Sequence, residues 1–464
     1  MAARCADPRS TPNDRPLPSH PKEHRDAHCP TLRATALAAA LLAVSACGGG
    51  DGDGAAVGDE AAGQTNVYGA DGNVNNGLGE DFSQPSALAG MRGTVLLTDL
   101  GQDFRDRLLA IDPGLVNFNT AGEAYDAVVI AALAAQLAGS VEATTLAPYV
   151  NGTTVGGETC TDVAACLDVI AAGGNPDYDG IVGPLGFTEV GEPSQASFAI
   201  ESFTDDNRID EAAREFQLVG DPAEATTDEG PPPAAPGATG GPLVVGSLTP
   251  QTGTLSFQGP QQLAALQLAV DDVNAAGGVL GQPVQLLTGD SGDASTDIAT
   301  QTADRLLQAG VDVIVGASSS GVSLTVIDKI VGAGVMMISP ASTSDELTDY
   351  EDRGLFFRTV PPDTLQAQAL ADLILADGNN SVGILALNDP YGVGLAENTR
   401  ANLVDAGLAE SDVVQVVYDP NAANFDTEVQ QMVDLAPDGI LVIGFEESAR
   451  IIEGLNAQGI GPQR

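Results

Sequence analysis

From Leu243 onward, short apolar runs alternate with segments whose apolar residues recur at helical spacing. The run LVVGSL, Leu243 to Leu248, reads as a buried strand. In QQLAALQLAVDDVNAAGG, Leu263, Leu266, Val270 and Val273 lie three, four and three apart, and Gly277-Gly278 ends the helix. The alternation continues through strand PVQLLTGD, helix TDIATQTADRLLQAG, strand VDVIVG, a helix near Thr325 to Ala333 and strand VMMIS. After LFFRTVPPD it restarts with helix TLQAQALADLILADG, strand SVGILAL, helix AENTRANLVDAG and strand VVQVVYD. Helix TEVQQMVDLAP, strand GILVIG and a last helix carrying Ile451, Ile452 and Leu455, stopped at Gly459, close the chain. Apolar strands separated by amphipathic helices predict α/β architecture, with parallel sheets covered on both faces. The restart at TVPPD predicts two doubly wound lobes, 243–360 and 361–464.

The front of the chain supplies a complementary pattern. An acidic Pro/Gly-rich linker is expected over 204–242, densest from Asp221 to Pro242, because such composition cannot bury a core. Ahead of it, TNVYGAD reads as a strand with no helix before it, and the last helix of the chain has no strand after it. Set end to end in reverse order, the two blocks make one continuous α/β pattern. On this reading 64–203 form the rear half of a fold whose front half is 243–360, and 64–118 complete the second lobe. Circular permutation, two truncated tandem copies and a gene-model error each account for such an order.

Charge and residue inventory narrow the function. The formal net charge is -46, which repels phosphate backbones and argues against nucleic-acid binding. All three histidines (His20, His24, His28) precede an apolar run, Ala34 to Ala46, that follows Arg33 and suits a signal sequence rather than a membrane span. The next residues, Val44-Ser45-Ala46-Cys47, resemble the lipobox of bacterial lipoproteins, with Cys47 as the acylated residue. The expectation is a signal peptide over 1–47, a flexible tether over 48–63 and a lipid anchor outside the cytoplasm. The remaining protein then has no histidine, which excludes Ser-His-Asp and Cys-His catalysis and ordinary zinc sites. No phosphate-binding loop occurs, and no cofactor is implied. Cys160 and Cys166 in ETCTDVAACL are either a local disulfide, favoured outside the cytoplasm, or two buried thiols.

The phrases LTPQTG, LAVDDVNAAGGVLGQPV, VIVGASSSG, MMISPASTSDELT, FFRTVPPD and NDPYGVGL occur in that order. YGADGN, YDAVVIAAL and DYDGIVGPLGF stand ahead of them. Together they resemble the type I periplasmic binding proteins of branched-chain amino acid ABC importers, with segment order rotated. The resemblance implies two lobes joined by hinges that close on a zwitterionic ligand. It implies that Ser319 and Ser320 bind the carboxylate, with Thr343 binding it through hydroxyl and N–H. The Ala341 carbonyl and the Asp71 carboxylate would meet the ammonium, while Tyr391 and Phe445 wall the pocket. Each also has a structural reading: N-capping for the serines, a Thr343–Glu346 capping box, and ordinary turns at Asp71 and Tyr391. Tyr125 reads as packing or hinge. The implied partners are a small amino acid or amide, an ABC permease with its ATPase, and the membrane through the lipid anchor. The implied activity is binding without chemistry. The alternatives are a ligand-sensing receptor subunit and an inactive fragment.

Overall fold

The computed structural model describes residues 65–235 and 240–462. The expected signal peptide, lipobox at Cys47 and tether lie outside them. The front block runs β1 (Asn66–Gly69), α1 (Asn76–Glu80), β2 (Arg92–Leu96), α2 (Gln102–Ile111), α3 (Ala121–Ala138) and α4 (Ala143–Val150). It continues with β3 (Glu158–Cys160), α5 (Val163–Ala171), β4 (Pro176–Gly180), β5 (Gly183–Pro184), β6 (Gln195–Ser202) and β7 (Glu215–Gly220). The rear block begins with β8 (Val244–Leu248), α6 (Gly259–Ala275), β9 (Gln285–Leu287), α7 (Ile298–Ala309) and β10 (Val313–Gly316). Next come α8 (Ser320–Gly332), β11 (Met336–Ser339), β12 (Phe356–Arg358), α9 (Asp363–Ala376) and β13 (Val382–Leu387). It ends with α10 (Pro390–Asp405), β14 (Val413–Tyr418), α11 (Asp426–Leu435), β15 (Gly439–Ile443) and α12 (Ser448–Ala457).

The strands form two principal sheets, each the centre of a lobe. The first lobe holds a five-stranded, wholly parallel sheet in the order β12-β11-β10-β8-β9. The second holds seven strands in the order β14-β13-β15-β1-β2-β6-β7. Its first five strands are parallel, while β6 and β7 are antiparallel. The chain ends and begins side by side here: Val67 pairs with Ile440 and Tyr68 with Leu441. A small sheet, β3-β4-β5, sits beside α3, and Cys160 and Cys166 are joined by a disulfide.

One boundary here differs from the sequence reading. The linker expected over 204–242 contains β7, which pairs with β6 and turns Gln217 and Val219 inward while Phe216 and Leu218 stay exposed, before the acidic Pro/Gly stretch begins. The 203–214 connection between β6 and β7 carries no crossover helix, and the two strands pair antiparallel. The helix α3 is apolar on all sides and long enough to cross a membrane by composition, yet nearly all of it is buried. It packs on α6 and against the first-lobe sheet, where an all-round hydrophobic helix belongs.

Polar ties bind the two blocks. Tyr68 donates to Asp377 Oδ2 (2.8 Å), and Arg92 pairs with Asp377 (2.6 Å). Thr120 Oγ1 accepts from Gln262 Nε2 (2.8 Å), and Tyr125 donates to Asp272 (2.6 Å). The chain passes between the lobes after β2, β5, β7 and β12. The passages after β5 and β12 are locked together by a buried ion pair, Arg358 Nη2 to Glu192 Oε2 at 2.5 Å. Gly191 is required there: its φ is +85°, and a Cβ would meet the Phe357 ring at 2.4 Å. Removing one partner of a buried pair leaves the other charge uncompensated, at about 3–5 kcal/mol. Glu192→Ala is therefore expected to lower unfolding free energy by about that amount in urea titration. A loss below about 1 kcal/mol would show the pair to be solvated.

Candidate functional site

In parallel sheets, ligand-binding loops lie beyond the carboxyl ends of the strands. Here such ends from both sheets face one crevice. Asp71 and Gly72 follow β1, Ser318 to Ser320 follow β10, and Ala341 to Thr343 follow β11. Tyr391 follows β13, and Phe445 follows β15. The seven candidate binding residues Asp71, Ser319, Ser320, Ala341, Thr343, Tyr391 and Phe445 all line one small cavity of about 10 Å³. Gly72, Leu255, Gln258 and Ser318 complete its wall.

One end of this cavity is built from acceptors. Asp71, 8% exposed, accepts at Oδ1 from the Tyr391 hydroxyl (2.7 Å) and from Gln366 Nε2 (2.7 Å). Gly72 N donates to the Tyr391 oxygen (3.3 Å), which fixes the turn against that ring. The Tyr391 ring stacks on Phe445, with centroids 5.6 Å apart. Gln258 Oε1 is a buried acceptor on the wall without a hydrogen-bond partner, as is Gln366 Oε1 behind it. Asp363 is fully buried, and neither of its carboxylate oxygens has a hydrogen-bond partner.

The opposite end carries hydroxyls and the start of α8. Ser319 caps that helix, its Oγ accepting from Val322 N (3.3 Å). Ser320 Oγ accepts from Ser344 N (3.2 Å), and Ser318 donates to Gln262 Oε1 (2.8 Å). The helix expected to start near Thr325 thus begins at Ser320, because Ser319 supplies the cap. The capping role expected of Thr343 falls to Ser344, whose Oγ accepts from Glu346 N (3.3 Å). Thr343 accepts through its carbonyl from Asp363 N (2.7 Å), leaving its side chain in the cavity wall. Tyr125 stays outside the site, edge-on to Phe104 and bonded to Asp272.

Arg358 holds the 342–344 loop in place. Its Nη1 donates to the carbonyls of Ser342 (3.2 Å) and Ser344 (2.9 Å), and Glu192 neutralises it. The sequence reading missed Arg358, Glu192, Asp363, Gln258 and Gln366. Arg358 and Asp363 stand unremarked within the phrase FFRTVPPD, and Gln366 left a trace as a polar residue on the apolar face of α9. The lobes touch at this loop: Ser344 Oγ donates to the Pro390 carbonyl (3.2 Å), and Asn398 bonds to Asp345.

Comparison with known proteins finds partial relatives. Residues 242–464 match the family profile described as periplasmic binding protein. The chain is 33% identical over 187 residues to the Leu/Ile/Val-binding protein BraC3 of Rhizobium johnstonii, covering 39% of this chain and 49% of that protein. It is 30% identical over 230 residues to Leu/Ile/Val-binding protein homolog 8 of Brucella abortus, covering 47% and 55%. Metabotropic glutamate receptor 6 of Oryctolagus cuniculus is 32% identical over 143 residues, covering 30% of this chain and 16% of the receptor. The chain thus spans about half the length of the bacterial relatives. Among solved structures it is similar to the branched-chain amino acid transporter substrate-binding protein LivJ of Streptococcus pneumoniae in complex with isoleucine. That likeness is 24% identical, covers 47% of this chain and 62% of the other, and has a TM-score of 0.41.

Burial dominates the titration of the acids near the crevice. It raises Asp71 and Asp363 above the ordinary carboxylate range, although hydrogen bonds to Asp71 from Tyr391 and Gln366 oppose it. It pushes Glu123, in the first turn of α3, up to about 8, and Asp126 and Asp389 to about 6. A carboxyl whose pKa is raised on folding binds protons more tightly in the folded state. Stability therefore falls as pH rises from the ordinary carboxylate range through about 8. The melting temperature is expected to drop over that window, and Glu123→Gln is expected to flatten its upper half. A melting temperature that climbs towards pH 8 would contradict the burial of these acids.

Proposed function

We propose that this chain is an extracytoplasmic solute-binding protein of the type I periplasmic binding family, serving an ABC permease and its ATPase. Its ligand is a small amino acid, of the branched-chain class by its relatives' names, or an amide. The observation that carries this reading is the convergence of Asp71 with the hydroxyls of Ser319, Ser320 and Thr343 on one cavity. A zwitterion needs acceptors for its ammonium and donors for its carboxylate, at opposite ends of a short span. Asp71 and the Ala341 carbonyl would supply the first, and the serines, Thr343 and the start of α8 the second. The α-amino and α-carboxyl ends are what this arrangement fixes; the side chain is set by the walls further out.

A space of about 10 Å³ is that of one water-sized group. An amino acid enters only when the lobes part, so binding is coupled to opening and closure about the passages. Asp71 is the residue whose loss tells most, because truncating one member of a buried charge pair costs about 2–5 kcal/mol. In a thermal-shift screen of α-amino acids, at least one, leucine-type ligands first, is expected to raise the melting temperature. Asp71→Ala is expected to abolish that rise. A rise that survives the substitution would remove Asp71 from the site and the reading with it.

A ligand-sensing subunit of a membrane receptor is the second reading, favoured by the match to the receptor. Ligand uptake by vesicles carrying the neighbouring permease separates the two. Attachment through Cys47 belongs to the same proposal: Cys47→Ser is expected to move the protein from the membrane fraction to the soluble one. Unchanged fractionation would mean that no lipid holds it.

A further inference from the structure

We propose that the cleft outside the cavity is a second subsite taking a cationic group, so that among α-amino acids those whose side chain ends in an ammonium or guanidinium bind more tightly than the branched-chain class after which the relatives are named. The inference rests on the solute-binding reading and specifies the side-chain end of the same ligand. The cleft, about 620 Å³, shares Leu255, Ser319 and Phe445 with the cavity, so a side chain leaving the α-carbon there passes into it.

Two carboxylates in its wall are set into the protein. Asp389 follows β13 and caps α10, its Oδ1 accepting from Gly392 N at 2.7 Å. Glu447 follows β15 and is 8% exposed; its Oε1 accepts from the Tyr418 hydroxyl (2.8 Å) and Phe445 N (3.0 Å). Its second oxygen, Oε2, is buried without a hydrogen-bond partner, an arrangement that costs stability unless something donates to it. The two charges oppose each other: Glu447 adds to the effect of burial in pushing Asp389 up to about 6. Asp81, Asp293, Glu446 and Glu453 add further negative charge around the rim.

No base of the protein answers them. Arg450 is the one base among the described residues lining the cleft. It is turned to the carbonyls of Ala422 (2.9 Å) and Pro420 (3.3 Å) and lies over the Phe425 ring at 4.7 Å. A purely apolar side chain would leave the carboxylate pair uncompensated, and an anionic one would be repelled. A metal ion fits poorly, since no group of three or more His, Cys, Asp or Glu side chains is arranged to hold one among the described residues. An organic cation answers the charge of this carboxylate pair.

Isothermal titration of the full chain with L-arginine, L-lysine, L-leucine and L-glutamate tests this. The wild type is expected to bind arginine or lysine at least about tenfold more tightly than leucine, and glutamate least. The variant Asp389→Asn/Glu447→Gln keeps the helix cap and the Oε1 acceptor, so its fold is preserved. It is expected to lower the ratio of basic to leucine affinity at least about tenfold. Each single variant is expected to give part of that loss. Leucine binding more tightly than both basic amino acids, or a ratio unmoved by the double variant, overturns the subsite while leaving the solute-binding reading intact. Failure of every α-amino acid to bind overturns both.

Discussion

The parallel pairing of β1 with β15 is the contact on which the site depends. β1 stands at the front of the chain and β15 near its end, yet Asn66 to Gly69 run in register beside Gly439 to Val442. That register sets Asp71 beyond the same sheet edge as Phe445 and Tyr391. Without it the acceptor end of the cavity loses its carboxylate, and β2, β6 and β7 lose their place in the sheet. Backbone hydrogen bonds alone would not specify this partner. The polar ties of Tyr68 and Arg92 to Asp377, at the end of α9, pin the strand from the side.

A second constraint works on the donor end. The loop carrying Ala341 and Thr343 has no regular structure, so its carbonyls need partners other than a helix or ladder. Arg358 supplies them from the end of β12 and is neutralised by Glu192 from a different passage between the lobes. A guanidinium suits this task because its donors form a rigid planar fork. The same residues thus shape the binding loop and couple it to the segments about which the lobes would move. Thr359, whose Oγ1 donates to the Glu123 carbonyl (2.8 Å), extends that coupling to the start of α3.

Acid burial is the third theme. A chain of net charge -46 holds most of its carboxylates in water. Some of those taken inside lie at the crevice: Asp71 and Asp363 at the cavity and Glu447 along the cleft, beside the half-buried Asp389. Burial of like charges is unfavourable without compensation, and it is retained where a cationic or donor-rich ligand provides it. The solute-binding and cationic-subsite proposals draw on this one imbalance, at successive depths along the same crevice.

The sequence by itself determined the elements and the chemistry available to them. Continuous apolar runs and 3.6-period faces announced the strands and helices of 243–462, since the strands are covered on both faces while each helix buries one side against a parallel sheet. The hydroxyls of Ser319, Ser320 and Thr343 and the carboxylate of Asp71 were singled out by the family resemblance of the phrases that hold them, and each lies just after a strand. Strand β7 was not, because edge strands bury only one alternate residue, here Val219, and resemble polar linker. What only the tertiary structure decided is who meets whom. Arg358 with Glu192, Asp71 with Gln366, and Asp389 with Glu447 are distant in sequence. Their partnership follows from sheet order and burial, and local periodicity carries no record of either.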